Sequence, residues 1–260
     1  MTMDMQIEGL RVLVTAGAGG IGLEVARAFH REGAKVFVCD VDDKALAALA
    51  TSDPAVGHIH CDVADRAAVA RMFEAATAFL GGLDVLVNNA GIAGPTARVE
   101  DIAPEDWDRC IDVCLTSQFN CARLAVPLLK QSTNASIINL SSAAGKNGFA
   151  LRSVYAAAKW GVIGFTKSLA IELGAFGIRV NAILPGLVAG DRIRRVLEAK
   201  AQQYGKSFKE VEASAFAYTS IKEYIAPQQL ADQMVFLASP RGKTISGQAI
   251  SVDGDTKMLM

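Results

Sequence analysis

The sequence has little excess charge of either sign. Its 26 Lys and Arg face 27 Asp and Glu, for a net charge of -1. A nucleic-acid binder of this size ordinarily carries a basic face, so that class of partner is set aside. The chain also lacks any run of about 18 apolar residues, which removes a membrane span from the expectation. The start, Met1 to Gln6, has neither a basic stretch nor an apolar one, and reads as no secretory signal. Histidines number only 3, and the 5 cysteines form no CxxC pair. His58, His60 and Asp62 alternate along one strand, but without further ligands nearby they read as strand-end side chains, with no metal expected. An odd count of scattered thiols reads as reduced cysteine in a cytoplasmic protein. Cys110, Cys114 and Cys121 read as one helical stripe of core or interface packing.

What is present is apolar and rhythmic. Hydrophobic residues make up 51% of 260, which excludes general disorder. Short β-branched runs at 10–15, 35–40, 56–62, 83–88, 136–140, 179–184 and 248–252 read as strands. Between them lie helical patterns at 21–32, 45–50, 66–80, 104–131, 152–174 and 227–238. Near-continuous apolar strands alternating with helices predict a seven-stranded parallel sheet covered on both faces. No linker or repeat divides the chain, so residues 1–260 read as one doubly wound α/β domain. Segment 190–224 is more charged than its surroundings and far longer than the usual two to six residues of such a connection. It reads as an inserted substrate loop of two amphipathic helices, closing over the carboxyl edge of the sheet as a lid. Its basic residues, Arg192, Arg194, Arg195, Lys200, Lys206 and Lys209, read mainly as a solvated face, with attraction of an acidic substrate as the sharper alternative.

Two patterns carry chemistry. Between the first strand and first helix stands Thr15-Ala16-Gly17-Ala18-Gly19-Gly20-Ile21-Gly22, in which Gly17, Gly19 and Gly22 fit GxGxxG. In the strand-to-helix setting, such glycines admit a pyrophosphate to the helix amides. Asp40 ends the second strand and would accept from ribose hydroxyls while repelling a 2′-phosphate, which predicts NAD as the cofactor. Tyr155 and Lys159, at i and i+4, share a helix face, and a cation near a phenol favours phenolate. Ser142 follows the fifth strand at the same sheet edge.

With Asp62-Val63, Asn88-Asn89-Ala90-Gly91, Asn181 and Pro185-Gly186 added in order, the whole chain resembles the classical short-chain dehydrogenase/reductase family. The resemblance implies that Tyr155 is the general acid/base, that Lys159 lowers its pKa and holds the nicotinamide ribose, and that Ser142 orients the substrate oxygen. It implies cofactor contacts from Gly17, Gly19, Gly20, Ile21, Gly22, Asp40, Asp62, Val63, Asn89, Gly91, Tyr155, Lys159, Pro185, Gly186 and Val188. It also implies a homotetramer built through the long helices 104–131 and 152–174, and through the last strand with the tail after Val252. Cys110, Cys121, Ala156, Ala157 and Trp160 are expected to supply small or apolar surface there. The chain departs from the family pattern at three places. Ala16 replaces a loop glycine, and Gly190 replaces a threonine. Cys114 stands where an asparagine usually serves a proton relay through its backbone carbonyl, which makes Cys114 a possible relay position. The expected activity is NAD-dependent hydride transfer between a secondary alcohol or ketone and nicotinamide. The alternative is a catalytically impaired NAD-binding sensor or scaffold of the same fold.

Overall fold

The structure is a computed structural model and describes residues 4–257. The reading of the first residues, and the end of the tail, therefore lie partly outside the described residues. Seven parallel strands, β1 (Arg11–Thr15), β2 (Lys35–Asp40), β3 (Gly57–His60), β4 (Val85–Asn88), β5 (Ser136–Leu140), β6 (Arg179–Pro185) and β7 (Ala249–Val252), form one sheet in the order β3-β2-β1-β4-β5-β6-β7. The helices are α1 (Gly20–Arg31), α2 (Asp43–Ser52), α3 (Arg66–Leu80), α4 (Pro104–Ile111), α5 (Ser117–Leu129), α6 (Ser153–Leu173), α7 (Asp191–Tyr204), α8 (Phe208–Ala217) and α9 (Pro227–Ala238).

Alternation along the strands divides the apolar side chains between two cores. Val12, Val14, Val36 and Val38 pack with Phe29 of α1 and Met234 of α9 on one face. Leu13, Phe37, Leu86 and Ile137 pack with Met72 of α3 and Leu129 of α5 on the other. Strand order reverses between β1 and β4, and a crevice opens there at the carboxyl ends, where this architecture binds ligands.

Several boundaries differ from the sequence reading. β3 stops at His60 because residues 61–65 turn, with the Asp62 carboxylate accepting from the amide of Ala64 at 3.0 Å. α2 is longer at both ends, its start set by Asp42, which accepts from the amides of Lys44 and Ala45. The predicted helix 104–131 contains a π-helical turn over 112–116. That extra-wide turn rotates α5 relative to α4, so the cysteines do not form one stripe. Cys110 and Cys114 pack with Val154 and Ala158, whereas Cys121 packs into the sheet core. Cys110 and Cys121 are fully buried within the chain and supply no interface surface. Trp160 is exposed as expected, and the other exposed large apolar side chains on these helices are Trp107, Phe119 and Ile171.

Candidate active site

The glycine segment closes against β2 and β4. A Cβ on Gly17 would sit 2.6 Å from the Val38 side chain, and one on Gly22 would sit 2.1 Å from the carbonyl oxygen of Ala16. Neither position has room for a side chain. Thr15 Oγ1 accepts from the amides of Asn89 and Ala90, both at 3.0 Å. The Asn89 side-chain amide donates to the carbonyls of Thr15 and Ala16. Asn89 is buried and braces the loop from behind. Ala16 holds a left-handed backbone with φ 51°, the conformation a glycine would adopt freely. Gly20, also left-handed, and Gly19 leave open space at the start of α1, where Ile21 begins the helix after them. This cradle, with free amides at a helix start, fits a pyrophosphate.

Asp40 flanks the loop. Its carboxylate accepts from the amide of Ala18 at 3.1 Å and from that of Val41 at 2.8 Å. Asp62 pairs with Arg109 of α4 at 2.9 Å, and Val63 is buried beside it. Together they fit the adenosine end of a dinucleotide.

The second half of the site gathers at the ends of β4, β5 and β6. Ser142 caps a short 3-10 turn, its hydroxyl accepting from the amide of Ala144 at 3.1 Å. Lys159 is buried, and its Nζ donates to the carbonyl of Leu140 at 2.8 Å and lies 5.7 Å from the Tyr155 ring centroid. A Cβ on Gly91 would lie 3.4 Å from that Nζ, so Gly91 borders the lysine. Burial pushes the Tyr155 phenol up, but Arg192, Lys159 and Ser142 outweigh it and leave the phenol below its usual value of 10. Pro185 ends β6, and Gly186 packs so closely on Asp253 that a Cβ would meet its Cα at 2.7 Å. Val188 bridges Ile225, which ties the two feet of segment 190–224 together. Gly190 has φ 138°, a conformation that a threonine would adopt only under strain.

Cys114 sits in the π-turn, with its thiol donating to the Ile92 carbonyl at 3.4 Å. A hydrogen bond from Cys110, and then Lys159, hold that thiol well below the usual thiol range. Its backbone carbonyl accepts from Gln118 Nε2, which also donates to the carbonyl of Leu140. Lys159 and Gln118 therefore share the Leu140 carbonyl as acceptor, and Gln118 braces it against the carbonyl of residue 114, whatever the side chain there. A π-turn at such a place is a recurrent feature of functional sites.

Three residues enter the site that the motifs did not single out as such. Gln118 is one. Arg152 is another, the residue just before α6 and three positions before Tyr155, with its guanidinium 4.6 Å from the ring centroid. The third is Arg192, which belongs to the basic run but reaches across the surface to donate to the carbonyls of Gly91 and Ile92. Arg194, by contrast, pairs with Glu198 on the solvent side. His60 pairs with Asp43, and no cluster of three metal-binding side chains exists among the described residues. No helix among them is long and apolar enough to cross a membrane.

A family profile described as Enoyl-(Acyl carrier protein) reductase matches residues 16–255. The chain belongs to the short-chain dehydrogenase/reductase family. It is 36% identical over 253 residues to the D-beta-hydroxybutyrate dehydrogenase of Cupriavidus necator, covering 95% of this chain and 98% of that one. It is 34% identical to the galactitol 2-dehydrogenase of Agrobacterium fabrum, covering 98% of this chain and 100% of that one. Among solved structures it resembles a single-substitution variant of actinorhodin polyketide ketoreductase with NADPH, at TM-score 0.88 and 32% identity, with 94% of this chain and 95% of that one covered. Levodione reductase also superposes at TM-score 0.88, with 29% identity over 95% of this chain and 97% of that one. This short-chain dehydrogenase/reductase binds a nicotinamide dinucleotide and is an oxidoreductase of alcohols or ketones rather than a scaffold.

Proposed function

We propose that the chain is an NAD-dependent dehydrogenase or reductase of secondary alcohols and ketones, with Tyr155 as general acid/base. The observation that carries this reading is the placement of Lys159 Nζ 5.7 Å and the Arg192 guanidinium 5.8 Å from the Tyr155 ring centroid, which holds the phenol below its usual pKa. A phenol so tuned exchanges a proton with a substrate oxygen at lower pH than an ordinary tyrosine. Ser142 orients that oxygen, and Lys159 stabilises the phenolate. Cys114 is the relay position in this reading, because its backbone carbonyl, which accepts from Gln118 Nε2, is supplied whatever the side chain. Bound at the glycine cradle, the dinucleotide supplies the hydride chemistry at the substrate carbon.

Asp40 supports NAD over NADP, because its carboxylate faces the loop with no basic side chain among the described residues bonded to it. Gly17, Gly19, Gly20, Ile21, Gly22, Asp62, Val63, Gly91, Pro185, Gly186 and Val188 are cofactor-facing in this reading. Asn89 acts on the cofactor through the loop it braces. Segment 190–224 serves as a lid. Its helices share a small core of Leu197, Ala201 and Val211 separate from the two sheet cores, which lets them move as a unit. Exposed Trp107, Phe119, Trp160 and Ile171 on α4, α5 and α6 support a homotetramer through those helices. Five buried free thiols support a cytoplasmic setting.

The test is dinucleotide reduction with a panel of secondary alcohols, NAD and NADP in parallel, for the wild type and Tyr155→Phe. The variant should lose at least about 100-fold in kcat, with NAD affinity retained, because only the phenolic oxygen is removed. Full turnover by Tyr155→Phe would remove the assignment.

A further inference from the structure

We propose that the alcohol or ketone this chain acts on carries an oxyanion, a carboxylate or a phosphate, seated on Arg152 and flanked by Arg192 and Lys200. The proposal rests on the placement of the reacting carbon beside Tyr155, and names the substrate class for that same site.

Arg152 is the unusual residue. Its relative exposure is 6%, yet it forms no salt bridge with any acidic side chain among the described residues. Its one side-chain hydrogen bond runs from Nη1 to Thr96 Oγ1 at 3.4 Å. A guanidinium carries five N–H donors and does not give up its charge in a protein. Burying such a group with most donors unused is costly unless an anion completes it.

Two further cations crowd the same place. Arg192 lies 5.8 Å from the centroid of the Tyr155 ring that Arg152 also faces, and its hydrogen bonds go to neutral carbonyls. Lys200 Nζ lies 5.8 Å from the ring of Phe149, whose carbonyl accepts from the Arg152 amide. Burial, and then Arg152, push the Lys200 ammonium down. Burial likewise pushes the Arg152 guanidinium down.

Of the five acids of the overlying segment, Glu198 pairs with Arg194, Glu210 closes the cap at Ser207, and Glu212 accepts from Tyr224. Asp191 and Glu223 form no ion pair with Arg152, Arg192 or Lys200. Positive charge of three side chains therefore gathers around the Tyr155 and Phe149 rings, and no carboxylate among the described residues pairs with it. Nor do the cofactor phosphates fill that need. The glycine cradle lies after β1, whereas Arg152 stands beyond Tyr155, between Thr96 and the segment that carries Lys200.

A guanidinium fork matches a carboxylate or a phosphate in two parallel hydrogen bonds. With Arg152 4.6 Å from the Tyr155 ring, the anion sits a few bonds from the carbon whose oxygen meets the phenol. Hydroxy acids and hydroxyalkyl phosphates have that shape, and their neutral analogues lack the group that Arg152 requires.

The experiment measures kcat/KM for lactate, 3-hydroxybutyrate and 4-hydroxyvalerate, each against its methyl ester. A second arm sets glycerol 3-phosphate against glycerol. The expected result is a preference of at least about tenfold for the anion in one arm, which also identifies the anion. Arg152→Gln should collapse that ratio, and Lys200→Gln should reduce it less. Equal or better turnover of the esters and of glycerol would overturn the proposal while leaving the oxidoreductase reading intact. So would turnover of neutral secondary alcohols only. If no compound is turned over, calorimetric titration of the NAD-loaded protein with acetoacetate and with methyl acetoacetate decides separately. Tighter binding of the acid, weakened by Arg152→Gln, supports the anion site, and equal binding of both rejects it. Circular dichroism of both variants checks that the fold is kept.

Discussion

The guanidinium of Arg192 on α7 donates to the carbonyl oxygen of Gly91 at 3.1 Å, across 101 residues of sequence. A second bond reaches Ile92 at 2.9 Å. These bonds latch the segment 190–224 onto the loop after β4, directly over the groove beside Lys159. Arg192→Ala should release the latch. Limited proteolysis within 190–224 should speed up several-fold in the unliganded protein, and KM should rise. Unchanged cleavage in the variant would mean that the packing at the feet of the segment, and not Arg192, holds it down.

Arg192 also bears on the proton chemistry. Burial pushes the Tyr155 phenol up, and Arg192 is the strongest of the groups that pull it below 10, ahead of Lys159. Alcohol oxidation needs the phenolate as base. The rate should therefore rise with pH and level off above an apparent pKa lower than 10. Removing Arg192 removes part of the pull, so the profile should move to higher pH. A profile unmoved in Arg192→Ala would show that Lys159 and Ser142 set the phenol alone.

Asp40 both caps the glycine loop, through the amide of Ala18, and faces the adenosine end of the groove. Asp40→Ala should lower the ratio of kcat/KM for NAD over NADP by about tenfold or more, the worth of a lost charged hydrogen bond together with a lost repulsion. NAD binding itself should also weaken. A wild type that prefers NADP would contradict the cofactor assignment at once.

Ala16 adopts φ 51°, where a Cβ is unfavourable. Ala16→Gly relieves that strain but frees the unfolded chain, so the two effects partly offset. The net expectation is a gain of about 0.5–1 kcal/mol, seen as a melting temperature higher by about 1–3 °C. A lower melting temperature would show that the methyl group packs more favourably than the backbone is strained.

The layout of this protein was legible from periodicity alone. The β-branched runs at 35–40 and 136–140 and the helix at 66–80 fall at their observed positions, because strand and helix periods in a well-packed chain leave little freedom. Tyr155, Lys159, Ser142 and the glycine loop were legible too, since each depends on local spacing or on the turn after a strand. Other features depend on which distant segments meet. The π-turn at 112–116 has no signature in composition, and it alone moved Cys110 and Cys114 off the line of Cys121. Asn89 reads as a groove residue until its amide is seen in the loop of residues 15 and 16, more than 70 positions away. The basic run at 190–224 looks uniform in sequence. Only the seating of α7 beside the loop after β4 brought Arg192 to the carbonyls there and left Arg194 to pair with Glu198. Arg152 stands at a helix start like any surface arginine, and only tertiary packing buried it without an acid. Local spacing determines which residues share a face of one helix. The sheet order determines which faces meet, and that is where charge balance and specificity are decided.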